Sequence, residues 1–560
     1  MRLVHGLHFR NLRGDLFGGL TAAIVALPLA LAFGVSVSPE DGAIMGLYGA
    51  VCIGFFAALF GGTPSQISGP TGPMTVVMAT VFSSIVHKNP ETGLPMAFTV
   101  VILGGIFQIL FGVLRLGQYI TLMPYTVISG FMSGIGFIIL LLQIGPFFGH
   151  PASASVIESV QNFSDFVSKP NAVATGLGIL TLIIVFGSPK KLNRIIPSPL
   201  LALLICTPIS VFVFPDSGIP IIGNIPTSLP KLQLPVFEPE QMREMLGYGL
   251  MLATLGSIDS LLTSLVADNI TRTTHNSDRE LIGQGIGNLI AGLFGGLPGA
   301  GATMRTVVNV RAGGKTPISG MVHSVVLLAV VLGAGKLTEN IPNAVLAGIL
   351  IKVGIDIIDW SFLKRAHTIS LRTTGLMYGV LFLTVFVDLI TAVAAGVFFA
   401  NLFTLKRLSD LQAKDVQAVT APEDGNHKLG LSVAEEMILN QAEGRIFLFH
   451  LSGPMSFGAA KSISHRMSIV EDYDVLILEL NEVPYLGVTA TLAIENMVKE
   501  AYANRRIVYL VGASGIVEDR LRRLKILRRV LEQNPVNTRS EALQQAISIV
   551  NQRRVKSKEL

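Results

Sequence analysis

Half of the 560 residues are apolar, only 14% are charged, and the mean hydropathy is +0.59, where a soluble domain carries about a quarter charged residues. The formal net charge of +5 comes with no DNA-binding motif and reads as membrane topology, because membrane proteins keep their basic loops in the cytoplasm; a nucleic-acid partner is excluded. The two cysteines, Cys52 and Cys206, lie inside apolar stretches and suggest neither a disulfide framework nor a metal cluster, and with no nucleophile–base pair in sight an enzyme has no support.

Met1 to Arg13 is basic and polar, and the first hydrophobic run, Leu16 to Val35, is long enough to span a bilayer rather than act as a cleavable signal. A crossing needs about 20 apolar residues. Spans are predicted near 15–36, 43–60, 95–114, 121–145, 171–187 and 197–214. Beyond a Pro-rich loop at 215–240 they resume near 245–267, 281–296, 318–334, 340–358, 370–388 and 389–405. Within this pattern Leu59-Phe60-Gly61-Gly62-Thr63-Pro64 recurs 234 positions later as Leu293-Phe294-Gly295-Gly296-Leu297-Pro298. Each copy leads into a break, Ser65 to Pro73 in one case and Gly299 to Thr303 in the other, and each break opens a shorter apolar segment, 72–86 and 303–312. The total is then 14 segments, seven on each side of the loop. Seven is odd, so the second half starts from the opposite face and the duplication is an inverted repeat.

Basic residues agree with that layout. With the N-terminus inside, the cytoplasmic loops contain Arg10, Arg13, Arg115, Lys190, Lys191, Arg194, Arg272, Arg279, Arg311, Lys315, Lys364, Arg365, Lys406 and Arg407. The outer loops have Lys88, Lys231 and Arg243 as their main exceptions. Both termini are expected in the cytoplasm. Of the 79 charged residues, 40 lie from Lys406 onward. We therefore expect a transmembrane domain over 1–407, a polar linker over 408–439 and a soluble domain over 440–560. In the last region Ile446–Leu451, Val475–Leu480 and Ile507–Val511 read as strands and 456–469, 489–503 and 516–530 as helices. This alternation predicts a small α/β domain with a partly parallel sheet.

A duplicated, Gly/Pro-interrupted break in a hydrophobic chain points to a transporter's substrate site. A helix that begins in mid-membrane presents unpaired N–H groups and the positive end of its dipole, which together bind anions. In an inverted repeat two such N-termini face each other. Thr71 and Thr303 stand at or near the first turn of the two half-helices, where a hydroxyl either joins the backbone donors around an anion or caps the helix. Asp259, in the eighth span, is an ionisable residue at membrane depth and so a candidate for function. Thr263, four residues on, shares its helix face. A carboxylate, a hydroxyl and nearby carbonyls make an all-oxygen site for a small cation or proton; the alternative is a carboxylate that pairs with Arg305 or caps a broken helix. Arg305 either attracts the anion or faces the cytoplasm as a topology signal. Asp388, at an outer helix end, reads as a solvated or paired carboxylate.

Two stretches carry a family resemblance. Gln66-Ile67-Ser68-Gly69-Pro70-Thr71-Gly72-Pro73 is one. The other is the run from Asn276 to Asn309, with Glu280-Leu281-Ile282-Gly283-Gln284-Gly285, Gly295-Gly296-Leu297-Pro298 and Arg305-Thr306. Both resemble the signature of the sulfate permease (SulP) anion transporters, and the C-terminal region looks like the STAS domain that ends them. The resemblance implies a polytopic α-helical membrane protein, a 7+7 inverted repeat with core and gate domains, elevator-like movement, and a homodimer joined through the cytoplasmic STAS domain. It places the chain as a multi-pass protein of a bacterial plasma (inner) membrane. Met123 to Gly134 and Gly296 to Arg305 look like the sodium-dependent, bicarbonate-transporting members. That implies bicarbonate at Thr71, the backbone of Ala302 and Thr303, and sodium at Asp259, Thr263, Gly301 and Thr303. No cofactor beyond co-transported Na+ is implied. The competing expectations are a proton-coupled sulfate or dicarboxylate permease and, from another class, an anion channel or STAS-linked anion sensor. In the STAS region Leu486-Gly487-Val488-Thr489-Ala490 replaces the usual Ile-Asp-Ser-Thr-Gly, which argues against a phosphorylation switch at Val488; Thr489 either substitutes for the serine or, as the expected reading, is a helix N-cap. The basic run Arg520–Arg529 reads as a solvated helix face, with contact to anionic lipid as the alternative.

Overall fold

The apolar runs dictate helices, because a backbone buried in hydrocarbon must satisfy its own hydrogen bonds. The structure, a computed structural model, describes residues 5–86, 89, 92–120, 124–153, 155–189, 192, 196–215, 217–223, 230–333, 339–420, 430–467 and 472–558. Lys88, Lys190, Lys191 and Arg194, part of the topology reading, lie outside these residues, as does part of the Pro-rich loop. The chain divides into two compact units, Met1–Ala400 and Asn401–Leu560.

Among the described residues, each of the fourteen expected segments of the first unit meets a helix. They are α1 (Leu12–Val37), α2 (Gly42–Phe60), α3 (Gly72–Val81), α4 (Gly93–Val113), α5 (Tyr125–Leu142), α6 (Ala172–Gly187) and α7 (Ser198–Val213) in the first half. The second half has α8 (Met242–Thr271), α9 (Ser277–Leu293), α10 (Thr303–Ala312), α11 (Pro317–Gly333), α12 (Asn343–Ile357), α13 (Leu371–Phe386) and α14 (Leu389–Lys414). Shorter helices, not anticipated from the sequence, occupy connections, among them Val156–Gln161 and Trp360–Ile369. Six helices are long and apolar enough to cross a bilayer unaided, and α10 meets α11 at a bend of 109°. The third helix of each half is short: α10 has 10 residues, and α3 has 10 before it runs on as a π-helical turn to Val86. At about 1.5 Å per residue, 10 residues cover half of a bilayer core of about 30 Å.

Packing sorts the helices into two groups. One is α1–α4 with α8–α11: α9 lies against α2 and α4, α11 against α1 and α2, and α10 between α1 and α8. The other holds α5–α7 and α12–α14, with α12 against α5 and α6, α13 against α5, and Gly396 of α14 against Val127 of α5 and Val380 of α13. The groups meet where α3 touches α5 and where α1 touches α7 and α12. Close approach is made possible by small residues. A Cβ on Gly105 of α4 would fall 2.5 Å from the Leu289 nitrogen of α9.

The second unit is built on a four-stranded sheet of order β3-β4-β5-β6, counting the two short strands of the first unit as β1 and β2. Here β4 (Ile446–Ser452), β5 (Val475–Glu482) and β6 (Ile507–Val511) run parallel, and β3 (Val416–Val419) pairs antiparallel with β4. Strand side chains alternate between faces. Phe447, Phe449 and Leu451 share a core with α16 (Phe457–Met467), α17 (Val488–Ala503), α18 (Gly515–Arg522) and α19 (Lys525–Gln533). Ile446 and Leu448 face α15 (Val433–Ala442) and α20 (Arg539–Lys558). Two expectations are corrected. The stretch 408–439 is not all linker: α14 continues to Lys414, and β3 and the start of α15 follow, because Val416 pairs with Leu451 and packs in the core. Thr489 is not an N-cap; Gly487 holds that position and Thr489 sits exposed in the first turn of α17.

Candidate transport site

Gly61-Gly62 and Pro64 end α2, and Pro70 with Gly72-Pro73 restarts the chain as α3, since proline cannot donate into a helix interior but fits its first turn. In the second half Gly295-Gly296 and Pro298 play the same part before α10. The residues between form β1 (Ser68–Gly69) and β2 (Ala300–Gly301), which pair antiparallel with Ser68 opposite Gly301 and Gly69 opposite Ala300. The crossing brings the N-termini of the two half-helices together from opposite directions. Glycine is obligatory at the closest point: a Cβ on Gly299 would lie 2.1 Å from the Gly69 carbonyl oxygen.

A buried polar scaffold fixes the crossing. Glu280 of α9, 1% exposed, accepts at Oε2 from the Gly62 and Thr63 amides (2.9 and 2.8 Å). Its Oε1 accepts from Gln66 Nε2 and Gln284 Nε2, both at 2.8 Å. Gln284 also donates to Ser68 Oγ at 2.6 Å. Asn288 holds the second break by donating to the Gly299 carbonyl (2.9 Å) and accepting its amide (2.8 Å). The Ile67 amide donates to Thr306 Oγ1 at 3.0 Å, and Asn309 donates to the Ser65 carbonyl at 2.9 Å. The sequence reading quoted Glu280 and Gln284 without giving them a role. The signal was weak, since Glu280 stands at the polar entrance of its span, beside Asp278 and Arg279, and not within it as Asp259 does.

Three of the four predicted cation ligands, Thr263, Gly301 and Thr303, come into contact. Thr263 Oγ1 donates to the Gly301 carbonyl at 2.9 Å and lies 2.8 Å from Thr303 Oγ1. Ser260, unnoticed in the sequence, accepts from the Gly301 amide at 3.0 Å and anchors β2 to α8. Asp259 stands within electrostatic reach of the Thr71 hydroxyl and the Arg305 guanidinium, yet among the described residues it forms no ion pair within 4.0 Å. The pairing alternative is therefore not what the chain adopts. These oxygens are hard donors of the kind alkali cations take. No metal-binding group of three or more His, Cys, Asp or Glu occurs among the described residues.

On the anion side, Thr71 is the N-cap of α3 but makes no side-chain capping bond. Its Oγ1 is buried and meets no hydrogen-bond partner at normal geometry, with the Asp259 carboxylate as its polar neighbour. The Ala302 amide is already used, donating to the Ile67 carbonyl at 2.8 Å. The donors remaining at this end are the amides that open α10, which a helix's first turn leaves without a carbonyl. Arg305 is 2% exposed, so the topology reading fails for it. Its Nη2 donates to the Pro70 carbonyl while Nη1 has no partner, and its charge lies directly behind both N-termini. A narrow cleft of about 20 Å³ reaches Asp259 between Pro73, Leu255 and Ile258 on one side and Val127, Ile128, Phe131, Met132 and Val393 on the other. Its walls are apolar except for the one carboxylate.

Residues 12–380 match the model of the sulfate permease family and residues 437–542 that of the STAS domain. The chain is 52% identical over 552 residues to the bicarbonate transporter BicA of Picosynechococcus sp., covering 98% of this chain and 97% of that protein. It is also 52% identical to BicA of Synechocystis sp., with 98% and 96% covered. A putative sulfate transporter, YvdB of Bacillus subtilis, is 30% identical over 548 residues, with 94% and 97% covered. The solved transmembrane domain of a cyanobacterial BicA superposes with a TM-score of 0.65 at 54% identity, covering 70% of this chain and all of that one. Murine Slc26a9, an anion transporter, superposes at 0.81 over 97% of this chain and 92% of its own; at 18% identity it speaks for the fold alone.

Proposed function

The chain belongs to the sulfate permease family, and from that premise we propose that it carries bicarbonate into the cell in symport with sodium. The observation that carries this reading is Asp259, a carboxylate at membrane depth with no ion pair among the described residues, one helical turn before Thr263, whose hydroxyl meets the Gly301 carbonyl and Thr303 Oγ1. Sodium held there neutralises the carboxylate that would otherwise repel an anion a few ångströms away. Bicarbonate then takes the Thr71 hydroxyl and the first-turn amides of α3 and α10. Neither ion binds well without the other, and that mutual dependence is the coupling.

Transport in this reading moves α1–α4 and α8–α11 as one body past α5–α7 and α12–α14, since both half-helices and all the proposed ligands sit on the first group. The protein lies in a bacterial plasma membrane with both termini in the cytoplasm and dimerises through its STAS domain. Matched family and full-length relatives are transporters, not enzymes. The experiment is uptake of labelled bicarbonate and sulfate into reconstituted vesicles with and without a sodium gradient. Saturable bicarbonate uptake that needs sodium is expected. Sodium-independent sulfate uptake would overturn the reading in favour of a proton-coupled permease.

A further inference from the structure

A second cavity, of about 300 Å³, lies further along the same two helices. Pro73 and Leu255 line the site cleft; Val76 and Met251, about one helical turn away on α3 and α8, line this cavity. It continues past Thr80 of α3 to Ser83, in the π-helical turn Phe82–Val86 that follows, and is closed by the ends of α5 and α13 and the start of α14. The opposite helix ends carry Arg115, Arg272, Arg279, Arg311, Lys315, Lys364 and Arg365, so the positive-inside rule puts this cavity on the outer side. Among the described residues that line it, Asp388 is the one charged group, and it is exposed. Tyr248 shares the lining, with its hydroxyl within reach of Ser84 and Glu244. An anion carrier with a carboxylate and no lysine or arginine on its outer cavity needs an explanation.

We propose that this cavity is the outer half of the substrate path and that Asp388 selects there by charge, drawing in sodium and disfavouring doubly charged oxyanions relative to a singly charged one. The proposal rests on the sodium–bicarbonate reading above. Repulsion scales with the product of charges, so a dianion meets twice the penalty of a monoanion, while the co-transported cation gains from the same group. Steering of this kind acts on encounter and weakens with ionic strength. Asp388 also has a structural role, because its Oδ1 accepts the Thr391 amide at 2.7 Å at the start of α14. Asparagine caps a helix as well as aspartate does, so Asp388→Asn removes the charge and keeps the cap.

The test uses the full chain in vesicles of low ionic strength. In Asp388→Asn the sodium concentration for half-maximal uptake should rise roughly two- to fivefold, with the rate at saturating sodium unchanged, and added sulfate should become a stronger inhibitor. Asp388→Glu should restore both, and raising the salt should narrow the difference. In parallel, Ser83→Cys should react with a membrane-impermeant thiol reagent added outside, and uptake should fall as it reacts. If wild type is sodium-stimulated while Asp388→Asn keeps its sodium dependence and its indifference to sulfate, the charge-selecting role is overturned. If Ser83→Cys cannot be labelled from outside, the path itself is overturned. A wild type with no sodium stimulation overturns instead the symport reading beneath both.

Discussion

Asp259 places a carboxylate against a cleft otherwise lined by Val127, Ile128, Phe131, Leu255 and Ile258, and such a charge at membrane depth persists only where it has work to do. Removing it while keeping its shape isolates that work. Asp259→Asn should abolish sodium stimulation of uptake and leave a folded, monodisperse protein; unchanged sodium dependence would show that the cation sits elsewhere. Thr263→Val removes one proposed ligand oxygen and its hydrogen bonds to Gly301 and Thr303, together worth about 1–2 kcal/mol. The half-saturating sodium concentration should therefore rise about 5- to 30-fold. Arg305 differs from both. It is the most deeply buried cation near the site, and it spends only one of its two terminal nitrogens on the protein.

At the scale of elements, the site exists because two interrupted helices are crossed at β1 and β2 and held by side chains of α9. Glu280 is the hub. Glu280→Ala leaves the Gly62 and Thr63 amides and the Gln66 and Gln284 side chains without their acceptor. At about 1–3 kcal/mol for each unsatisfied buried group the crossing should not survive, and a thermal-shift assay should register a large loss of stability or no folded protein at all. Gly299→Ala tests the crossing more gently. The added methyl meets the Gly69 carbonyl, a backbone atom that cannot swing aside. Uptake should fall at least tenfold even if the protein still inserts and purifies, and wild-type rates in this variant would mean the strands can part without cost.

Over the whole molecule, the two units answer to different physics. The membrane unit is held by small-residue packing and satisfied backbone, the STAS unit by a two-faced sheet and a buried ionic cluster. In that cluster burial alone would raise the Glu435 carboxyl. The Arg539 guanidinium, the Ser432 amide and the Ser540 hydroxyl instead pull it from 4.5 to about 2. The Glu479 carboxyl, also buried, is likewise lowered by His450 and Arg539. A lowered carboxylate stabilises the folded state above its unfolded value, and that contribution is lost as pH falls through the folded one. Pepsin cleavage within 430–558 should accordingly increase as the pH drops from about 4.5 toward 2, and Glu435→Gln should flatten that rise. The sequence by itself determined the positions of the apolar helices, the two breaks and the strands β4–β6. Those follow from hydropathy, periodicity and Gly/Pro punctuation, all of which act over a few residues. It also marked Asp259 and Thr263, because a carboxylate and hydroxyl on one helix face stand out in apolar surroundings. Tertiary structure alone decided that Asp259 and Arg305 do not pair, that the Ala302 amide is already bonded to Ile67, that Glu280 braces the first break, and that β3 is part of the sheet. Each of these is a contact between residues tens to hundreds of positions apart, and distance in space is a property that no local pattern encodes.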